Sequence, residues 1–396
     1  MMPPDATTNP RRIVLTALLG LSGGLNVVLL AQLVRQLAHK GARLNSDFMA
    51  FWSFPRFAAT HNVRLIYDAA NIQNFQKALY PGFGSIYPYL YPPTLLLPTW
   101  WLRFFDFGTA ELLWTGAGLL LLAAAVPLLF QRHRAVVLAA LLASPAALIN
   151  VATGETAFFT TALALAGFGL LRKRPVLAGI AFGLLTLKPQ LGVLIPFFLL
   201  ARGEWRAIAS ASLTAAALVS LSCLVLPPDM WRLWLHALPQ YQVNIFKPGA
   251  YNLNIITTPA ANLVLLGAAP RVAWAVQVVC GLSIAALVAW MARHSPDNLA
   301  VAALLVGTFL AQPHAYAYDS VLIPAAMALC LSPRLPFWAM ALGVLVYLMP
   351  LMLLTSCSHW FIYAPPLLLL LAAIAQLART PALGAELPHV PAHPSN

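Results

Sequence analysis

A succession of long apolar runs, separated by short polar breaks, extends from Ile13 to about Ala378 and leaves this chain few ways to fold. About 20 apolar residues are enough to cross the hydrocarbon of a bilayer as a helix. In hydrocarbon each backbone amide and carbonyl needs a partner within the chain, which selects helices for such runs. Their recurrence over nearly the whole length is incompatible with one soluble core. Composition agrees: 61% of the 396 residues are hydrophobic and 9% charged, against about 25% charged in soluble domains. The expected fold class is all-α, a polytopic transmembrane helical bundle.

The runs fall near 13–34, 109–130, 135–151, 156–171, 175–188, 189–201, 207–226, 270–291, 298–312, 318–331, 336–354 and 360–378. They make about twelve spans in a single domain, 1–379, followed by a tail over 380–396 with the composition of a disordered segment. Several runs are shorter than a perpendicular span needs, and an alternative reading of 175–201 is one long broken helix. The run after Arg11 and Arg12 is too long for a signal peptide and reads as an uncleaved first span.

Basic residues gather in alternate breaks: Arg132 and Arg134, Arg172 to Arg174, Arg202 and Arg206, Arg293, Arg334 and Arg379. Positive charge marks the cytoplasmic side, so both termini are expected inside a bacterial inner membrane. The net charge of +12 is then topological, or serves anionic lipid or phosphate, and nucleic acid is not an expected partner. The opposite side receives two long segments. Residues 35–108 are expected to form interfacial helices, and 227–269 carry Trp231, Trp234, Tyr241 and Tyr251, a membrane-belt composition. Cys223, Cys280, Cys330 and Cys357 lack metal-ligand spacing and read as small apolar residues.

Eleven carboxylates limit the chemistry. Asp5, Glu204, Asp297 and Glu386 fall on the expected cytoplasmic side, and the rest lie on or near the outer one. An active site would therefore open outward. Asp47 follows the first span among aromatic residues. Two readings stand: a partly desolvated base for a hydroxyl proton, or an N-cap of an interfacial helix. Lys188, between two apolar stretches, either meets a phosphate or snorkels to headgroups. His314, with Tyr318 and Asp319 beside it, either shuttles a proton or donates to a phosphate oxygen, or belongs to a capped helix start. Glu155 holds a sugar hydroxyl, pairs with a base, or is an ordinary helix-start charge. The stretch Tyr87-Pro88-Tyr89-Leu90-Tyr91-Pro92-Pro93 is a rigid corner that shapes a cleft.

In this order and spacing the chain resembles the membrane glycosyltransferases of the GT-C fold, and more narrowly glycosyltransferase family 87, the polyprenol-phosphate-mannose-dependent type. The resemblance covers about 40–325. It rests on Ser46-Asp47-Phe48, on Leu65-Ile66-Tyr67-Asp68 leading to Tyr89-Leu90-Tyr91-Pro92-Pro93, on Ala178-Gly179 and Leu187-Lys188-Pro189-Gln190-Leu191-Gly192 before Arg202-Gly203-Glu204-Trp205-Arg206, and on His314 with Tyr318-Asp319. Glu155 departs from an expected glutamine, and Asn252-Leu253-Asn254 is a loose match to an Asn-rich loop. The resemblance implies transfer of a hexose, mannose by analogy, from a polyprenyl-phosphate sugar to a hydroxyl of a glycolipid or glycan. Asp47 and His314 would be catalytic and Lys188 would bind the donor phosphate. Arg56, Glu155, Asn252, Asn254, Tyr318 and Asp319 would bind substrate or support the site. No metal or other cofactor is implied. A transporter or flippase, which predicts inverted repeats and midplane ionisable groups, and a non-catalytic membrane scaffold are the competing readings.

Overall fold

The structure is a computed structural model that describes residues 20, 23–24, 26–27, 47–81, 87–247, 253–331, 335–354 and 362–379. Most of the first run, the 380–396 tail, Asn252, Arg334 and Cys357 lie outside the described residues. Among the described residues the architecture is helical. The one β-type pairing is an isolated antiparallel bridge between Ile256 and Tyr316.

Two helices of more than ten residues come before the first described span, α1 (Phe48–Thr60) and α2 (Ala69–Leu79), followed by a four-residue helix over Leu96–Thr99. The bundle follows: α3 (Phe107–Leu129), α4 (Arg134–Leu142), α5 (Pro145–Thr153), α6 (Ala157–Leu170), α7 (Pro175–Leu184), α8 (Ile195–Arg202), α9 (Trp205–Val225), α10 (Met230–Ile245), α11 (Pro259–Leu265), α12 (Pro270–His294), α13 (Asp297–Ala311), α14 (Ile323–Cys330), α15 (Phe337–Leu348) and α16 (Ala364–Arg379). By length and composition α3, α9 and α12 are able to cross a membrane, at 23, 21 and 25 residues with mean hydropathy of 2.0 to 2.2. A fourth crossing is possible if α4 and α5, bent by 58°, form one span. The remaining apolar helices are shorter, so about twelve full-length crossings are not what the helix lengths give. Proline accounts for several of the breaks. Pro145, Pro175, Pro189 and Pro270 each open a helix or helical turn, where a missing N–H costs no hydrogen bond.

The 175–201 region is a there-and-back pair rather than one broken helix. Arg172 precedes α7 and Arg202 ends α8, and both guanidinium groups bind Asp297. The chain therefore leaves that end, turns at Lys188 and returns. From the same ion cluster, α6 runs back to Glu155 and α13 runs forward to Gln312. Glu155, Lys188 and the 312–319 loop thus meet at the opposite end, separated from Asp297 by roughly 20 Å of helix. At the basic end Arg202 also donates to the Ala292 carbonyl and Arg293 to the Ala201 carbonyl.

Helix α1 is mostly buried. Phe48, Met49, Phe51, Trp52, Phe54 and Phe57 are all buried, so several faces meet protein. Arg56 fastens it. Its guanidinium stacks on the Trp52 ring at 3.7 Å and donates to the carbonyls of Trp52, Leu102 and Phe105. Helix α2 keeps an amphipathic character, with Ile72 and Gln76 buried and Lys77 exposed.

Candidate active site

The site is built at the end of the bundle where four breaks in the helices converge. Each break places an ionisable or aromatic group because the local sequence cannot continue as helix.

The first break is the start of α1. Asp47 occupies the N-cap position, yet its side chain makes no capping hydrogen bond. Its partner is the Tyr87 side chain. Asp68, by contrast, does cap its own helix, α2: its carboxylate accepts from the backbone of Ala70 and Asn71. The Asp47 carboxyl is pushed up to about 7, chiefly by burial and then by the negative charge of Glu155, with Tyr87 and Lys188 pulling the other way.

The second break is the α5–α6 turn. Gly154 takes a left-handed conformation, with φ of 66°. A Cβ there would lie 2.5 Å from the Phe48 Cβ, so glycine is also required by the approach of α1. The Gly154 carbonyl accepts from the Trp114 indole, and Trp114 stacks on Phe51. These contacts hold the turn carrying Glu155 against the helix that follows Asp47.

At the third break, Pro189 stops α7 from continuing, and Lys188 points inward there. Its ammonium lies 2.7 Å from Asp319 and 3.2 Å from the Thr156 hydroxyl, with Glu155 at 3.9 Å and the Tyr318 ring centre at 5.2 Å. Only 4% of its side chain is exposed. The nitrogen is committed to internal partners, and snorkelling is ruled out by the same geometry.

The fourth break is the loop between α13 and α14. Asp319 gives one carboxylate oxygen to Lys188, and the other accepts from the Tyr316 backbone N–H at 3.4 Å. Tyr318 stacks on Tyr316 at 5.2 Å and its hydroxyl donates to Glu155. The loop is tied down by Thr257, whose N–H and hydroxyl both donate to the Ala315 carbonyl. His314 faces another neighbourhood. Its backbone N–H donates to the Gln312 side-chain oxygen, and its ring sits 5.8 Å from Phe246. Burial pushes its pKa down to about 4, so it is neutral at physiological pH.

Asp47, Glu155, Lys188, Tyr318 and Asp319 are thus brought together, and His314 shares their loop through a separate set of contacts. Arg56 is a fastener of α1. Asn254 lies in the turn Leu253–Ile255, next to the strand-like pairing with the late loop. Sequence reasoning missed Tyr87 as the partner of Asp47 and Thr156 as a partner of Lys188. Tyr87 was visible only as part of the proline-rich corner, and a threonine beginning a helix carries no distinguishing signal. The corner itself is ordered by Gln76, which exchanges two hydrogen bonds with the backbone of Tyr87.

Residues 89–313 match the family described as Glycosyltransferase family 87. No curated protein and no solved structure matches the chain. The matched region contains Glu155 and Lys188, and ends one residue before His314. A transferase family disfavours the transporter and flippase readings. Because the match spans more than half of its 396 residues, the chain belongs to glycosyltransferase family 87.

Proposed function

We propose that this glycosyltransferase takes its sugar from a polyprenyl-phosphate hexose, with mannose as the sugar, and passes it to a hydroxyl of a glycolipid or glycan. The proposed setting is the outer face of a bacterial inner membrane, in a GT-C-type bundle with both termini cytoplasmic. The chemistry is a single displacement with inversion. As the acceptor oxygen bonds to the anomeric carbon, its proton passes to an Asp47 carboxylate oxygen. The anomeric C–O bond breaks and its electron pair leaves with the polyprenyl phosphate. Neutral His314 donates an N–H hydrogen bond to the departing phosphate, an electrostatic contribution to the transition state. Tyr318, Asp319, Glu155, Asn252 and Asn254 support or contact the sugars.

The observation that carries this reading is Asp47 itself. It is a carboxylate relieved of capping duty, partly desolvated, and poised near neutral pH. A general base works best when its pKa lies near the working pH.

The test is sugar transfer from polyprenyl-phosphate mannose by purified Asp47→Asn protein in nanodiscs. General-base catalysis contributes about 100- to 10,000-fold, so turnover should fall by that order while donor binding holds. A folded, fully active Asp47→Asn protein would remove Asp47 from the mechanism.

A further inference from the structure

Lys188 raises a problem of charge. Its ammonium has three N–H donors, and Asp319, Thr156 and Glu155 stand around it at 2.7, 3.2 and 3.9 Å. One cation is therefore shared among Asp319, Glu155 and the nearby Asp47. A phosphate brought against it would add negative charge where carboxylates already outnumber the cation, and would have to displace a buried ion pair.

The same ammonium is a mechanical junction. Asp319 belongs to the loop before α14, Thr156 and Glu155 to the α5–α6 turn, and Lys188 to the α7–α8 reversal. Asp47 meets charge and polarity from each of these directions. Tyr87 and Tyr91 come from the proline-rich corner, Glu155 from the turn, Lys188 from the reversal and Tyr316 from the loop. Asp319 and Tyr318 bind Lys188 and Glu155 in turn.

We propose that Lys188 is a positioning residue, an internal counter-ion anchored by Asp319 that holds Glu155 and moderates the negative field on Asp47, without touching the donor phosphate. The inference rests on Asp47 serving as the base. Removing the Lys188 charge makes Asp47 harder to ionise, so activity should need higher pH. Removing the Asp319 charge does the reverse. Removing both restores the balance.

The experiment measures transfer rate against pH and against polyprenyl-phosphate mannose concentration in nanodiscs. The proteins are wild type, Lys188→Met, Asp319→Asn and the double variant. In wild type, activity should rise through about pH 7; a profile without that limb defeats the Asp47 reading and the inference with it, whereas a limb that is present but unmoved by Lys188→Met defeats this inference alone. Lys188→Met should move the limb up by about half a unit or more and Asp319→Asn should move it down, as expected for charges close to a titrating group. The double variant should return it to the wild-type position, with donor KM within about threefold throughout. Should the single variants fail to fold, recovery of fold and activity in the double variant carries the same conclusion. The proposal is overturned if Lys188→Met raises donor KM about tenfold or more with the limb unmoved, or if Asp319→Asn lowers donor KM by freeing a phosphate ligand. It is equally overturned if the double variant does not fold, because charge balance would then not be what the pair supplies.

Discussion

Asp47 costs the fold stability in its ionised form. Its carboxyl is held near 7 in the folded chain, against an ordinary value of 3.8. The folded state therefore binds the proton more tightly than the unfolded state does. Between these values stability falls as pH rises, because ionising the buried group is harder than ionising the exposed one. Asparagine is neutral at every pH and removes that cost. Asp47→Asn should thus be more stable than wild type at pH 8, by at most about 4 kcal/mol. The advantage should grow between about pH 4 and pH 7 and level off above. Thermal unfolding in detergent across that range checks it, and an advantage that does not vary with pH would contradict the cause assigned. His314, neutral above about pH 4, should leave the activity limb near pH 7 where it is when replaced by glutamine. A limb that moved with His314→Gln would assign it to the histidine. That Asp47 and Lys188 would need partners was legible in the sequence, because ionisable groups beside apolar runs are costly without them. Their partners were not: Lys188 and Asp319 are 131 positions apart, and nothing local records that they meet.

At the level of elements, the site depends on how closely helices approach at their ends. Gly154 combines the left-handed backbone with a Cβ position 2.5 Å from Phe48, whereas Gly203 has the same backbone, with its nearest neighbour at 3.6 Å, the Trp205 indole nitrogen. Gly203→Ala should therefore cost only the backbone strain, about 1 kcal/mol, and leave turnover unchanged. Gly154→Ala should cost about 2–4 kcal/mol, through strain and overpacking together. It should also reduce turnover, since Phe48 must move and Asp47 adjoins it. Parallel measurement of melting temperature and transfer rate separates the two, and equal losses at both glycines would show that the approach of α1 is unimportant. The sequence disclosed these elements unevenly. Hydropathy found the apolar runs but not their lengths as helices, because proline and tight turns cut them below a full crossing. The burial of α1 was hidden for a related reason: its aromatic residues suit a membrane interface as well as a protein interior, and only tertiary packing decides between them.

For the molecule as a whole, two ion clusters at opposite ends define its polarity. One gathers Arg172, Arg202 and Asp297; the other gathers Lys188, Asp319 and Glu155. Their functions differ with their exposure. The Arg172–Asp297 pair is largely open to solvent, with the arginine side chain 78% exposed, and such pairs contribute about 0–1 kcal/mol. Its main significance is topological: basic residues concentrate there, as expected on the cytoplasmic side. The buried cluster lacks that surplus of positive charge and adjoins the proposed base. If the bundle crosses the membrane between the clusters, groups beside each must be reachable from different sides. Lys77, exposed on α2 near the site end, and Lys173, exposed beside Arg172, are suitable positions. In a background freed of Cys223, Cys280, Cys330 and Cys357, Lys77→Cys should react with a membrane-impermeant thiol reagent in intact spheroplasts. Lys173→Cys should react only after the membrane is opened. Reaction of both from outside would mean that the two ends share one side, and the short helices would then be re-entrant rather than crossing. Reaction of Lys173→Cys alone would invert the orientation, placing Asp47 on the cytoplasmic face, where a polyprenyl-phosphate sugar facing outward cannot reach it.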